Sequence, residues 1–260
     1  MNKGDYSTIF NFFRSLRPLI EKMSPDIAYL VLEGRPKKRL EMSPDYKGQR
    51  KYSDDDNFNF QRNEIINILN EFFPVILVKH KDYECDDVIG YLANKHNKVN
   101  DEVTIISSDT DFIQCIDKNI KLYNPVRKMY LEKAEYDYVL WKALKGDDSD
   151  NIKGFSGIGD KKAKKMCLDN NLLDNFLLTE GYREKLDHNI EMIRLHDLKS
   201  EVENITYFNE TKKSKWNDLK RIFENYNFSS MTDKEKSWNK FTKTFDNLWE
   251  NINVNWKSIR

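Results

Sequence analysis

Residues 82–114, DYECDDVIGYLANKHNKVNDEVTIISSDTDFIQ, constrain the fold of this chain more than any other stretch. The first half places apolar residues at helical spacing behind a cluster of carboxylates, and the helix macrodipole favours negative charge at that end. The second half contains the β-branched run Val103–Ile106, which is typical of a buried parallel strand. The sequence therefore predicts a helix followed by a strand of a parallel α/β sheet.

Acidic residues flank this helix and strand. Glu84, Asp86 and Asp87 stand at the start of the helix, and Asp109 and Asp111 follow the strand. Sites in open α/β sheets form beyond the carboxyl ends of the strands, so both acidic groups should face one crevice. Carboxylates this close repel one another unless cations lie between them, which predicts a divalent-metal site. Either motif alone would be read as an ordinary helix cap or turn.

The rest of the chain extends the α/β pattern and then becomes helical. Strand–helix alternation up to about residue 131 predicts a parallel, doubly wound sheet. The predicted helices span residues 6–22 (with a kink or break at Pro18), 63–73, 134–145, 183–202 and 215–226, with an apolar helical stripe through 238–249; the other predicted strands span residues 26–32, 74–78 and 120–123.

The composition says more about the cellular compartment of the protein than about its function. Lys plus Arg and Asp plus Glu both number 43, so the net charge of zero gives no information about the kind of partner. The 3 cysteines are widely spaced without a C-x-x-C, which argues against a disulfide framework or a zinc finger and for a reducing compartment. No signal peptide or membrane-length apolar run is present, so we expect a cytoplasmic protein with no membrane partner.

Residues 35–62 are basic and poor in apolar side chains. Tyr46, Tyr52, Phe58 and Phe60 are interleaved with the basic residues, a combination that suits phosphate contact and base stacking on single-stranded nucleic acid. A solvated loop is the alternative interpretation. Long segments of this kind inside a compact domain are usually functional or mobile.

A third acidic motif occurs in residues 146–165, GDDSDNIKGFSGIGDKKAKK. Asp147 and Asp150 are three residues apart and share a face if this turn is helical. Gly157 and Gly159 expose backbone N–H groups at the start of a lysine-rich helix, which makes a phosphate cradle. The lysines of that helix are Lys161, Lys162, Lys164 and Lys165.

These motifs resemble those of a known family. YECDDVIG, SSDTDFIQ and GDDSDNIKGFSGIG resemble the three signatures of the phage and bacterial 5′-nucleases, and SPDYKGQR resembles their arch segment. The resemblance covers roughly residues 4–228. It implies an α/β, PIN-like parallel-sheet nuclease core in residues 1–132, including a helical arch in 35–62. It also implies an all-helical helix–three-turn–helix subdomain in 133–210, with residues 211–260 forming helices that pack back on the core.

The resemblance also assigns roles to single residues. Lys47 and Arg50 correspond to catalytic arch residues near the scissile phosphate, and Tyr46 to a stacking residue. The turn from Gly157 to Gly159 corresponds to a duplex contact that in relatives also holds a monovalent cation such as K⁺. The implied metal ligands are Glu84, Asp86, Asp87, Asp109, Asp111, Asp147 and Asp150, together with Glu33, which stands where relatives carry an aspartate.

One departure from the family concerns the start of the chain. Relatives begin with a strand that carries a further metal-binding aspartate, whereas only Met1, Asn2 and Lys3 precede Gly4 here. We therefore expect a core sheet without its usual central strand. This departure bears on full activity more than on the fold, and it motivates the interpretation of the chain as a catalytically weakened DNA-binding protein.

The resemblance implies a structure-specific 5′-3′ exonuclease or flap endonuclease of replication or repair that uses two Mg²⁺ or Mn²⁺ ions. Expected partners are DNA with a 5′ flap or 5′ end, RNA–DNA hybrid, and a single-strand-binding protein, with the nuclease itself a monomer. Two other interpretations stay open: a catalytically weakened DNA-binding protein of the same fold, and a nuclease acting mainly on RNA.

Overall fold

The computed structural model describes residues 5–50, 55–208 and 215–259, and Tyr52 lies outside them. The first elements are α1 (Ser7–Met23), β1 (Tyr29–Leu32), α2 (Lys37–Met42), α3 (Asp56–Phe72), β2 (Ile76–His80), α4 (Cys85–Asn97), β3 (Val103–Ile106), β4 (Ile120–Asn124) and β5 (Met129–Leu131). They are followed by α5 (Tyr138–Lys145), β6 (Gly146–Asp147), β7 (Ile152–Lys153), α6 (Asp160–Leu168), α7 (Asn170–Phe176), α8 (Tyr182–Ile193), β8 (Ile205–Phe208), α9 (Trp216–Asn225), α10 (Ser229–Thr232) and α11 (Glu235–Ile259). Short 3-10 helices span Thr110–Cys115, Asp148–Asp150 and Lys199–Asn204.

The described residues form two compact units. The first lies within residues 1–32, 52–79 and 206–260, and the second within 33–51 and 80–205. The predicted domain boundaries near residues 132 and 210 stay a prediction. All acidic residues of the predicted site belong to the second unit.

The strands form three sheets in the part of the chain that the structure describes. One has the order β1-β2-β8, with β1 and β2 parallel and Tyr29 opposite Ile76. Another has the order β3-β4-β5, with β3 and β4 parallel and Val103 opposite Ile120. The parallel pairs thus lie in two sheets rather than in one continuous sheet. The third sheet is the antiparallel hairpin of β6 and β7.

Some predicted elements have other bounds or surroundings than the sequence suggested. The helix predicted to start at residue 63 starts at Asp56, because the Asp55 side chain caps it by accepting from the Asn57 and Phe58 N–H groups. No break occurs at Pro18, which lies inside α1 on an exposed face where water can satisfy the freed carbonyl. The strand Val103–Ile106 is confirmed, but only Ile105 in it is buried, because Thr104 and Ile106 lie on a face of the strand that is exposed.

The helix predicted over residues 183–202 is interrupted. It ends at Ile193 and a 3-10 helix starts only at Lys199. Backbone groups of the intervening segment bind other parts of the second unit instead of one another: the Arg194 carbonyl accepts from Arg39 and the His196 N–H donates to Asp87. Tertiary hydrogen bonds therefore override the helical pattern here.

An aromatic core stabilises the first unit. Phe13 and Phe73 are stacked with ring centroids 5.0 Å apart, and Phe223 and Phe245 each touch one of these rings. Helices α1, α3, α9 and α11 all contribute to this cluster. No helix in the described ranges is both long and apolar enough to cross a membrane.

Removing one of these rings should strongly destabilise the protein. We expect Phe13→Ala to lower the free energy of unfolding by about 3–5 kcal/mol, because the lost ring leaves a cavity in a close-packed core. Phe58, at 46% exposure on α3, is the control, and its replacement by alanine should change stability by less than about 0.5 kcal/mol. Urea denaturation measures both; equal effects would contradict the packing described here.

Candidate active site

A pocket in the second unit gathers five of the predicted acids. Glu84 and Asp86 come from the start of α4, Asp111 from the 3-10 helix after β3, and Asp147 and Asp150 from β6 and the turn that follows. The complete lining is Arg39, Tyr46, Glu84, Asp86, Asp111, Asp147, Asp150, Met192, Ile193 and Leu195. Acids that are up to 66 positions apart in the sequence (150 − 84) therefore share one crevice.

Residues from the arch hold two of these carboxylates. Lys47 Nζ pairs with Glu84 and lies 3.9 Å from Asp150 Oδ2, and Arg50 Nη2 is 2.6 Å from Asp150 Oδ1. Tyr46 Oη lies 3.0 Å from Glu84 Oε2 and 3.0 Å from Asp150 Oδ2, and its one proton can be donated to either. The burial of Tyr46 and the charge of Glu84 raise the pKa of its hydroxyl, so Tyr46 stays a donor.

Lys142, in α5, neutralises the other side of the pocket. Its Nζ pairs with Asp111 and lies 2.7 Å from Asp147 Oδ2. Burial lowers the pKa of a lysine, but the two carboxylates outweigh it and raise the pKa of Lys142. Burial also acts to raise the pKa of Asp147, yet hydrogen bonds from Lys142 and Ser149 bring it below its usual range. Asp147 is therefore fully ionised.

Asp86 differs from its neighbours. Burial, and next the charge of Asp109, raise the pKa of Asp86 to about 7. Burial raises the pKa of Asp111 as well, against the opposing effect of Lys142. A raised pKa means that the surroundings of Asp86 do not stabilise its negative charge. A bound cation would lower this pKa and keep Asp86 ionised.

The donor set fits a hard divalent cation in its chemistry. All five acidic groups in the pocket offer oxygen ligands, which Mg²⁺ and Mn²⁺ prefer. Over residues 5–50, 55–208 and 215–259, however, no three His, Cys, Asp or Glu side chains are grouped closely enough to hold one ion as they stand. Lys47, Arg50 and Lys142 pair with oxygens of Glu84, Asp111, Asp147 and Asp150 instead, and they would have to release those oxygens to a metal ion.

Three predicted ligands lie outside the pocket lining. Glu33 Oε2 accepts from the Cys85 N–H at 3.3 Å, at the first residue of α4. Asp87 is fully buried against Arg39. Asp109 is exposed and caps the 3-10 helix by accepting from the Asp111 N–H at 2.8 Å. The metal-binding roles of all three stay predictions.

The arch residues are placed differently from what base stacking needs. Tyr46 is buried and its ring packs in the apolar cluster of the second unit, so stacking on a base would require it to leave the pocket. The Lys47 ammonium lies 5.1 Å from the centre of the Tyr46 ring. Phe58 and Phe60, in contrast, are exposed on the first turns of α3. A DNA-binding role for Tyr46 stays a prediction.

The glycines around β6, β7 and α6 divide into two kinds. A Cβ on Gly154 would lie 2.2 Å from the Lys145 backbone, and one on Gly146 would lie 2.3 Å from the Gly154 nitrogen. Both positions therefore require glycine, because a side chain would overlap the neighbouring backbone. A Cβ on Gly157 or Gly159 would meet nothing within 4 Å. The open space beside Gly157 and Gly159 is where a ligand backbone could approach closely.

The lysines of α6 also divide. Lys161, Lys162 and Lys165 are exposed, whereas Lys164 is only partly so. Lys164 Nζ lies 3.2 Å from Asp160 and 5.4 Å from the centre of the Tyr136 ring. Three of the four predicted phosphate-binding lysines therefore project into solvent, and Lys164 is held against the protein.

Two buried basic residues that pair with acids of the pocket, Arg39 and Lys142, were not predicted from the sequence. Lys142 interrupts the apolar stripe of α5. A lysine on this face, five residues before Asp147, could have indicated a residue that pairs with the acids of the site. Arg39 is one of many basic residues in the arch, and nothing in that run of charges distinguished it. Arg39 and Lys142 differ from the basic residues near them in being buried, and burial depends on tertiary packing.

The fold and the acidic pocket together identify the class of protein. Short parallel strands with acids near their carboxyl ends, an arch and a helical subdomain form a PIN-like, resolvase-type nuclease fold. Residues 2–141 match the family model described as "5′-3′ exonuclease, N-terminal resolvase-like domain". This chain belongs to the 5′-3′ exonuclease family.

Individual relatives support the same family. The chain is 31% identical to a 5′-3′ exonuclease of Aquifex aeolicus, over 73% of this chain and 72% of that protein. It is 30% identical to a 5′-3′ exonuclease of Mycoplasmopsis pulmonis (70% and 62%) and 30% identical to DNA polymerase I of Caldicellulosiruptor bescii (72% and 24%). The chain thus spans about a quarter of the polymerase and under two thirds of the Mycoplasmopsis exonuclease.

Solved structures share the fold at low sequence identity. A zinc-bound T5 5′-exonuclease superposes with a TM-score of 0.56 and 18% identity, covering 95% of this chain and 92% of that one. The T5 flap endonuclease in a complex with DNA and metal ions gives a TM-score of 0.56 and 18% identity, covering 96% and 93%.

Proposed function

We propose that this chain is a structure-specific 5′ nuclease that hydrolyses DNA phosphodiesters with two divalent metal ions, Mg²⁺ or Mn²⁺. The observation that carries the proposal is the convergence of five carboxylates on one pocket beside Lys47 and Arg50. Membership of the 5′-3′ exonuclease family supports it. Ions held by these acids would supply an activated water and stabilise the leaving oxygen.

The chain's own residues would hold the substrate. Lys47 and Arg50, once released from Glu84 and Asp150, offer positive charge to the phosphate at which cleavage occurs. The open backbone at Gly157 and Gly159, with Lys161, Lys162 and Lys165 beyond it, suits a duplex backbone and reads no base sequence. Substrate choice should therefore follow structure, which favours 5′ flaps and 5′ ends. The K⁺ site at this turn, the single-strand-binding protein and the monomeric state stay predictions.

The test is cleavage of a 5′-flap duplex labelled on the flap. We expect a released flap when Mg²⁺ or Mn²⁺ is present, and none in EDTA. Equal cleavage of single-stranded DNA and flap duplex would contradict structure specificity. An all-DNA flap and one with an RNA flap strand, measured in parallel, separate the DNA and RNA activities.

A second candidate function is structure-specific DNA binding without turnover. The ion pairs that Arg50 and Lys142 make with the pocket acids favour it, because a site neutralised by its own side chains has less need of metal ions. It predicts flap binding in EDTA with a similar affinity in Mn²⁺, and no product after prolonged incubation. Any metal-dependent cleavage removes this candidate.

Gly159 gives a prediction for the duplex contact. We expect Gly159→Ala to weaken binding of a blunt duplex about tenfold, because a methyl group would occupy the space beside the exposed N–H groups. Its thermal stability should stay unchanged, since the added Cβ meets no protein atom within 4 Å. Gly154→Ala is the contrast: it should unfold at a lower temperature because its Cβ would overlap the Lys145 backbone. Fluorescence anisotropy and thermal denaturation measure both, and unaltered duplex binding by folded Gly159→Ala would contradict the assignment.

A further inference from the structure

The buried guanidinium of Arg39 uses every donor it has. Arg39 lies in α2, the first helix of the arch, and is 3% exposed. Its Nε donates to the Met192 carbonyl (2.9 Å), its Nη1 to Glu84 Oε2 (2.8 Å) and Asp87 Oδ2 (2.7 Å), and its Nη2 to Asp87 Oδ1 (2.8 Å) and the Arg194 carbonyl (3.0 Å). A guanidinium has five N–H groups, so none is left for a phosphate. Arg39 therefore differs in kind from Lys47 and Arg50.

Both carboxylate oxygens of Asp87 also accept hydrogen bonds from the protein. Its side chain is 0% exposed, and both its oxygens accept from Arg39 in the parallel, two-bond geometry that guanidinium and carboxylate favour. Oδ1 also accepts from the His196 N–H at 2.9 Å. Removing either member of a buried pair leaves an uncompensated charge, which is strongly destabilising. Asp87 is also absent from the pocket lining, whereas its neighbour Asp86 is part of it.

We propose that Asp87 serves as the counter-charge of Arg39 rather than as a metal ligand, and that the Arg39–Asp87 pair is a positioning device for the catalytic pocket. The pair joins three segments of the second unit: α2, the start of α4, and residues 192–196. Through the 2.8 Å contact to Glu84 Oε2 it fixes that carboxylate, whose other oxygen is paired with Lys47. The inference rests on the proposed nuclease site, since it assigns a role within that site.

The deciding experiment compares Asp87→Asn with Asp86→Asn by two readouts that do not depend on activity. Mn²⁺ binding is measured by electron paramagnetic resonance, and stability by thermal denaturation. We expect Asp87→Asn to lower the Tm by about 10 °C and to leave Mn²⁺ affinity within about twofold below that temperature. Asp86→Asn should do the reverse, with Mn²⁺ affinity lower by about tenfold or more and an unchanged or higher Tm. An Asp87→Asn protein with a wild-type Tm and weakened Mn²⁺ binding would overturn the proposal.

Arg39→Lys tests the positioning role. Lysine keeps the charge but cannot make the two parallel bonds, so Glu84 should lose its fixed orientation. We expect kcat on a 5′-flap substrate to fall about tenfold with little change in KM, alongside a lower Tm. A lower Tm with an unchanged kcat would overturn the positioning role.

A double replacement keeps the test decisive if Asp87→Asn does not fold. Arg39→Met combined with Asp87→Leu removes both charges, and the double variant should be more stable than either single one. Independent, additive losses would overturn the pairing. If wild type binds no Mn²⁺ at all, the proposed function fails, and the stability comparison still decides whether Arg39 and Asp87 form a coupled pair.

Discussion

Asp86→Asn is expected to lower kcat for 5′-flap cleavage by about 10²- to 10³-fold while leaving the fold intact. Asp86 lies in the pocket, where burial and the charge of Asp109 raise its pKa to about 7, so the surrounding protein disfavours its negative charge. An amide keeps the shape of the side chain but cannot supply the charge that a divalent ion needs. The loss should therefore appear in kcat and in metal affinity together.

The same substitution should stabilise the metal-free protein. The pKa of Asp86 is about 7 when folded, above its value in the unfolded chain, so its ionisation opposes folding as pH rises from about 4 to 7. Asparagine removes this effect, and we expect Asp86→Asn to be more stable than wild type by up to about 4 kcal/mol at pH 8 and by little at pH 4.

Asp148→Asn is the matched control, because Asp148 is exposed in the same acidic motif as Asp147 and Asp150. It should leave both cleavage and stability near wild type. Steady-state kinetics in Mg²⁺ and urea denaturation at the two pH values provide the measurements. Wild-type activity in Asp86→Asn, or an equal loss in Asp148→Asn, would contradict the assignment of the pocket.

The second large effect is expected at Lys47. Lys47→Ala should lower kcat about 10²-fold or more, because it removes a positive charge that would face the phosphate in the transition state. In the metal-free protein Lys47 pairs with Glu84, so its removal should also free a carboxylate oxygen and leave Mn²⁺ binding at least as tight as in wild type. Activity and metal affinity should therefore change in opposite directions.

Lys37→Ala separates this effect from a general loss of charge. Lys37 is exposed at the first position of α2, and its replacement also removes one positive charge from the arch. We expect it to alter flap affinity modestly at low salt and to leave kcat within about twofold, since a peripheral lysine contributes to binding alone. Similar kcat losses in the two variants would show that Lys47 acts only through overall charge.

Part of this molecule can be predicted from local sequence patterns. The apolar spacing after Glu84 predicts α4, and the β-branched run predicts β3, because both signals are strong over a short stretch. The rule that sites form beyond the carboxyl ends of parallel strands also anticipates the meeting of Asp86 with Asp111 in one pocket.

What the patterns miss depends on tertiary partners. Asp86 and Asp87 are neighbours at one helix start, yet one faces the pocket and the other is buried against Arg39. Tyr46 was expected to stack on a base among basic residues, and its hydroxyl instead lies between two carboxylates. Packing between segments far apart in the chain decides whether an acid faces the solvent, a basic side chain or the pocket. The spacing of residues in the sequence does not predict this.

The central claim is that acids between positions 84 and 150 hold divalent cations in one pocket. A crystal of the protein soaked in Mn²⁺ tests it directly, through anomalous scattering measured near the manganese edge. Two anomalous peaks bounded by Glu84, Asp86, Asp111, Asp147 and Asp150, with Lys47 and Lys142 turned away from their present partners, are the expected result. An ordered pocket that keeps its Lys47 and Lys142 ion pairs and shows no manganese at saturating concentration would contradict it.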